Sequence, residues 1–221
     1  MSRRPGPGSG QLGSAESSGV DDRFPGFDVL GQAPHWDQVT AEVVLSRCGP
    51  LPEMKFFTEA ERACAAVLLD HLTGQFGEPR VPVLQMIDAR LAAGETDGWR
   101  YDDMPEDGQA WRDTLSYLDA DAKARGGATF AEAAEADRHQ LIQAVQDQAS
   151  GTWHGLSAEH VWSLWTRYAC TAFYAHPAAW AEIGFPGPAY PRGYKNAGAD
   201  KLEPFEVRDA KPAIDPVRKG D

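Results

Sequence analysis

An all-α fold, an irregular helical bundle, is what this sequence predicts, and three observations carry the prediction. Apolar residues recur at helical spacing in successive segments between residues 36 and 176. Those segments open on capping residues and close on Gly or Gly-Pro. No stretch alternates with period two for long enough to assert a strand. Three parts are expected: a flexible tail over 1–22, a helical domain over 23–185, and an extended Pro/Gly/aromatic tail over 186–221 that binds a partner.

The first part, PGPGSGQLGSAESSGVDD over residues 5–22, is polar and rich in Gly, Ser and Pro. Arg3 and Arg4 resemble the start of a twin-arginine export signal, but no apolar run follows them. GPGSG is no phosphate loop either, since no strand precedes it and GKS or GKT is absent. Phe24, Phe27, Val29 and Leu30 then form a small apolar anchor expected to pin to the body. A helix follows over 36–47, with Trp36, Val39, Val43 and Val44 at helical spacing and Cys48-Gly49-Pro50 as its stop.

Thr58-Glu59-Ala60-Glu61 fits a capping box, preceded by Phe56 and Phe57. The helix it opens carries Ala60, Cys64, Val67, Leu68 and Leu72 on one stripe and ends at Gly74. Pro79-Arg80-Val81-Pro82 is a stiff connector, with Pro82 suited to the first turn of a helix built on Val83, Met86, Ile87 and Leu91. The long loop ETDGWRYDDMPEDG reads as a solvated acidic loop that caps the next helix, because the order of calcium ligands in an EF-hand is missing. Trp111, Leu115 and Leu118 mark a helix from Gly108 to Ala124, and Leu141, Ile142 and Val145 one over about 135–149.

The most aromatic stretch is Leu156–Asn196, which holds nine of the 22 aromatic residues. Its first half is a helix capped by Ser157, with Ser163, Thr166, Arg167, Cys170, Thr171 and Tyr174 on one face. The rest of its circumference is apolar, wider than one core-facing stripe requires. Such a helix needs cover on several sides, and the expectation is that a second polypeptide supplies some of it. GFPGPAYPRGY, which follows, is broken by Pro and Gly too often to be helical.

Function classes narrow by elimination. A net charge of −12 disfavours nucleic acid and anionic membrane surfaces, and no apolar run approaches the ~18–20 residues needed to span a bilayer. Cys48, Cys64 and Cys170 lack CxxC spacing and read as small core residues. The six histidines show no HExxH, and His154 and His160, flanking a helix start, favour solvent contact or capping over metal ligation. His176 is placed to meet the last carbonyls of the aromatic helix. There is no GxSxG and no dinucleotide fingerprint, so no catalytic, cofactor or metal residues are assigned. Instead Trp162, Trp165, Tyr190 and Tyr194 are candidate partner-binding anchors, with Arg192 and Lys195 at the rim. For each tryptophan, burial in the chain's own core stands as the alternative.

Several motifs, in order, resemble the small subunit ("subunit 3") family of gluconate 2-dehydrogenase. These are FFTEAER at Phe56–Arg62, EPRVPVLQMIDARL at Glu78–Leu91, the Trp111, Leu115, Leu118, Asp119, Phe130 set, AFYAHP at Ala172–Pro177, and GFPGP at Gly184–Pro188. The likeness covers roughly residues 54–190, with AAWAE at Ala178–Glu182 departing from the family pattern. The resemblance implies a non-catalytic subunit without a cofactor of its own. Its partner would be a large FAD-containing dehydrogenase of the glucose–methanol–choline type that oxidises sugars, glycosides or sugar acids. In many such systems a cytochrome c subunit, carrying haem c, takes the electrons. Support of folding, flavin loading and stability is the implied role; a transient folding or export chaperone, or an independent His/acid metalloenzyme, are the alternatives. Without a leader, the chain is expected in the cytoplasm, or else in the periplasm by export together with a signal-bearing partner.

Overall fold

The computed structural model describes residues 23–78, 80–196 and 198–213. The flexible tail expected over 1–22 and the last eight residues of the expected C-terminal tail lie outside them. Helix is the dominant structure; the helices expected between residues 36 and 176 appear in order, and a 3-10 turn and a short seventh helix are added. A 3-10 turn, Leu30–His35, leads to α1 (Gln38–Ser46), α2 (Glu59–Thr73), α3 (Val83–Ala92), α4 (Asp107–Gly126), α5 (Glu135–Asp147), α6 (Ala158–Ala175) and the short α7 (Pro177–Glu182).

Local chemistry explains most boundaries. Thr58 Oγ1 accepts the Glu61 N–H while Glu61 Oε2 accepts the Thr58 N–H at 2.7 Å, a complete capping box. Gly74 closes α2 and Gly127 closes α4, both in the left-handed region. Ser157 caps α6 by accepting the His160 N–H. Two boundaries differ from expectation. Asp37, not Trp36, begins α1, its carboxylate accepting the Thr40 N–H. Pro82 sits at the N-cap of α3 rather than in its first turn.

One small sheet was not foreseen. β1 (Thr152–Trp153) and β2 (Leu156–Ser157) pair antiparallel, with Thr152 opposite Ser157 and Trp153 opposite Leu156. The two turn residues, His154 (φ 49) and Gly155 (φ 86), both have positive φ, as a two-residue hairpin requires. Strands of two residues are too short to leave an alternation pattern.

The apolar side chains form two clusters. The main core gathers α2 to α6 around Leu68, Leu69, Ile87, Trp111, Leu115, Leu118, Phe130, Val145, Val161 and Trp165. α6 is its axis: α2, α3, α4, α5 and α7 all pack against it. The broad apolar arc of α6 is therefore covered by this chain's own helices, which corrects the expectation that a second polypeptide must cover it. The second cluster is smaller: Val29, Trp36, Val44 and Trp180, with Phe27, Ala33 and Ala41 against them. It joins the N-terminal anchor and α1 to α7.

Three further readings are corrected. Only Cys64 is buried; Cys48 and Cys170 are exposed, because one follows the end of α1 and the other lies on the outward face of α6. Val39 and Val43 of α1 are 67% and 50% exposed, since α1 turns Ala41 and Val44 toward the second cluster. The acidic loop is largely exposed, as expected, but it is tethered to the bundle and does not cap the next helix. Asp97 pairs with both Arg90 and Arg167, and Asp103 accepts from His160 at 2.7 Å with the Tyr101 ring stacked on the imidazole. The loop's Glu106 makes no side-chain cap bond at the start of α4.

Candidate partner interface

The anchor, α1, α7 and the C-terminal segment form a minor lobe against the helical bundle. Arg47 at the end of α1 donates to the Ala175 carbonyl at 2.8 Å and lies over the Trp180 ring. Trp180 Nε1 donates to the Tyr174 carbonyl, which ties α7 back to the last turn of α6. Gly187 (φ +78) lets the chain pass under Trp36: a Cβ there would stand 2.6 Å from the indole. Gly184, also at positive φ, is pressed by Phe24 in the same way.

Beyond Pro188 the segment is extended, as expected, but folded back on itself and on the N-terminal strand of chain. Buried Glu203 accepts backbone N–H groups from Lys195 and Asn196. Asp209 pairs with Arg23, and the Ala210 N–H donates to the Arg23 carbonyl at 2.8 Å. The burial of Glu203 is compensated by these donors.

The six candidate contact residues divide. Trp165 is wholly enclosed, with Nε1 donating to Thr114 at 3.1 Å, so it is a core residue and is withdrawn from the interface. α4 and the hairpin's Trp153 supply the cover that the sequence could not reveal. Trp162 is half-buried and packs on the main core. Arg192 is corrected as well: Nη1 donates to Gln32 Oε1 at 2.9 Å and its guanidinium stacks on Phe205, so it fastens the tail internally. Tyr190 and Tyr194 are 65% and 62% exposed, and Lys195 is exposed too.

Beside Tyr190 and Tyr194, the structure exposes apolar residues that the sequence did not mark as surface. Among the described residues thirteen large hydrophobics are exposed, and ten of them lie in 23–53 or 176–213. They include Val39, Val43, Ile183, Phe185, Tyr190 and Tyr194. Only Phe76, Trp99 and Tyr174 belong to the bundle, and Tyr174 adjoins the lobe. Charge is divided the other way. Residues 54–175 carry 19 acidic against 10 basic side chains, whereas 23–53 with 176–213 carry 9 against 7. An apolar, nearly neutral face beside a strongly acidic body has the composition of an interface core. The stripe Val39/Val43 could have been found as an i, i+4 pair; that it faces outward depended on where α7 lies.

The histidines do not assemble an active site. His154 Nε2 donates to Asp121 Oδ1 at 2.8 Å and the ring stacks on Tyr117, while His160 is taken up by Asp103. His176 caps α7 by accepting the Ala178 N–H, and burial followed by the charge of Arg47 leaves its pKa below the ordinary range. No group of three or more His, Cys, Asp or Glu gathers to hold a metal among the described residues. No described helix is long and apolar enough to cross a membrane.

The motifs that resembled a known family are in mutual contact. Asp88, wholly buried, accepts N–H groups from Lys55 (2.6 Å), Phe56 (3.1 Å) and Phe57 (2.9 Å). Arg112 donates to Glu61 and to the Phe56 carbonyl, both at 2.8 Å, and lies over the Phe56 ring. Asp119 accepts the Phe130 N–H at 2.9 Å. The family model for gluconate 2-dehydrogenase subunit 3 matches residues 59–187, more than half of the chain. The chain belongs to that family. Nothing matches among curated proteins or among solved structures.

Membership makes this subunit 3 protein an accessory subunit of a multi-subunit dehydrogenase. The matched span holds the whole bundle and α7 but leaves out α1 and everything after Gly187. The minor lobe is thus built largely from sequence that flanks the family's shared part.

Proposed function

We propose that this chain is the non-catalytic small subunit of an FAD-dependent sugar, glycoside or sugar-acid dehydrogenase, and that its minor lobe docks the large flavin-bearing chain. The observation that carries this is the segregation of exposed apolar side chains into the lobe of a family member whose bundle is otherwise acidic. Flavin belongs to the partner, and electrons leave to a cytochrome c subunit or another acceptor. The role of this chain is to support folding, flavin loading and stability of the catalytic subunit. Val39, Val43, Ile183, Tyr190 and Tyr194 form the contact, with Trp162 and Lys195 at its edge. Trp165 and Arg192 act indirectly, by holding the surfaces that carry these residues. The cytoplasm is the favoured site of assembly.

The test is co-expression with a large flavoprotein subunit, followed by a pull-down and a flavin absorbance spectrum. The expected result is co-purification, with all flavin absorbance in the large chain. Val39→Asp/Val43→Asp should abolish capture while leaving the helical circular dichroism unchanged. Capture that persists in that variant and in Tyr190→Ala/Tyr194→Ala would overturn the assignment of the lobe. A complex that dissociates once the flavin is bound would make the chain a transient chaperone instead. Turnover by the lone subunit would remove the non-catalytic reading.

A further inference from the structure

We propose that His71 and His139 form the nucleus of a binding site for one divalent transition-metal ion of the zinc, nickel or copper class, stapling the last turn of α2 to the first turns of α5. The two histidines are 68 residues apart in sequence, yet His71 Nε2 and His139 Nδ1 face each other at 3.0 Å. Their rings are tilted by 53° with centroids 5.1 Å apart, an edge-on meeting of nitrogens rather than a stack. Two imidazole nitrogens each ~2.0–2.1 Å from a shared ion stand about 2.9 Å apart at the right angle of square-planar or octahedral coordination and about 3.4 Å apart in a tetrahedron, a range that includes the separation seen here. The alternative, a single N–H···N bond, uses one proton and one lone pair; a metal uses both lone pairs.

The surroundings suit a cation held by nitrogen. His71 borders a cleft of about 220 Å³, walled further by Val67, Asp70, Phe76, Arg80, Glu135 and Arg138. Glu135 lies one helical turn before His139, so its carboxylate rises from the same face of α5. Asp70 is engaged by Arg80, which leaves Glu135 as the carboxylate free to turn toward the pair. The charges of Asp70, Arg80, Glu135 and Arg138 cancel, so selection falls to the imidazoles, which favour zinc, nickel and copper over magnesium and calcium. No three ligating side chains converge at one point among the described residues; Glu135 therefore reaches the ion by rotation about its side chain, and water completes the shell.

The experiment is titration of the untagged full chain with zinc and nickel by calorimetry, with thermal unfolding in parallel. One ion per chain and a raised Tm are expected, with binding weaker at pH 5.5 than at pH 7.5 because protons compete for the rings. His71→Ala and His139→Ala should each weaken binding at least about tenfold, and His71→Gln serves if the alanine variant does not fold. His154→Ala and His160→Ala should leave it unchanged. Absence of binding at hundreds of micromolar metal, or wild-type affinity in the His71→Ala/His139→Ala double variant, would overturn the site. Equal loss on removing His154 would do the same. Unchanged affinity in Glu135→Gln would overturn the part given to Glu135.

Discussion

At the scale of single residues, the chain is held by buried carboxylates that satisfy backbone or guanidinium donors. Asp88 clamps three consecutive N–H groups just ahead of the capping box. Asp88→Ala strands those donors, and a loss of about 3 kcal/mol in urea unfolding is expected. Asp97 sits between two arginines. Burial alone would raise its pKa, but the Arg90 hydrogen bond and the Arg167 charge outweigh it and hold the carboxyl below the usual range. A carboxylate depressed in the folded state contributes stability above its unfolded pKa, about 3.9, and loses that contribution as pH falls through the folded value. Asp97→Asn should therefore lower the urea midpoint at pH 7 and converge on the wild type below about pH 3. A constant gap across that range would count against the ion pair. Asp107 plays a related part: it accepts from Tyr168 at 2.7 Å, and burial together with this bond pushes the Tyr168 phenol well above its ordinary pKa.

At the scale of elements, α6 shows how a helix apolar over most of its circumference can belong to a monomeric core. Five helices surround it, and the hairpin closes its N-terminal end through Trp153, which meets Trp165 edge-on at 5.6 Å. Trp165→Ala should cost about 3–5 kcal/mol, measured by denaturant unfolding, as removal of a wholly buried indole leaves a cavity. The lobe depends on a different and weaker joint. At Gly187 any side chain must displace Trp36 and also adopt a positive φ. Gly187→Ala is expected to detach α1 and the C-terminal segment, making them sensitive to limited proteolysis, while the bundle keeps its unfolding midpoint. If the bundle unfolds in step with the lobe, the two clusters are one cooperative unit.

At the scale of the whole molecule, an acidic bundle presents a nearly neutral lobe, and the two differ in origin as well as charge. The bundle falls within the family's shared span; most of the lobe flanks it. On the proposed docking, partner choice lies with the flanking sequence, since apolar contacts would fix the dock while the bundle's charge would repel other acidic chains. Val39→Asp/Val43→Asp should lose the flavoprotein partner with little change in Tm, because both side chains are already in water. A large fall in Tm would show that they pack within the chain after all. Truncation after Ile183 is a poorer probe, since it also uncovers Trp36 and Trp180 from Gly187.

By itself the sequence determined α1 to α6, most of their caps and the family. These rest on local spacing: Thr58 with Glu61, Ser157 ahead of an apolar run, Gly74 after one, and motifs read in order. It also determined that the Gly/Pro-rich segment after Ile183 is not helical. Only the tertiary structure decided which apolar faces are covered, because cover is supplied by residues distant in the chain. Trp165 and Val39 are both apolar at helical spacing, yet one is enclosed by α4 and the hairpin while the other faces water. The pairings His71 with His139, Asp97 with Arg167, and Arg192 with Gln32 have the same cause. Each spans 68 or more residues, and no local pattern encodes a contact made at that separation.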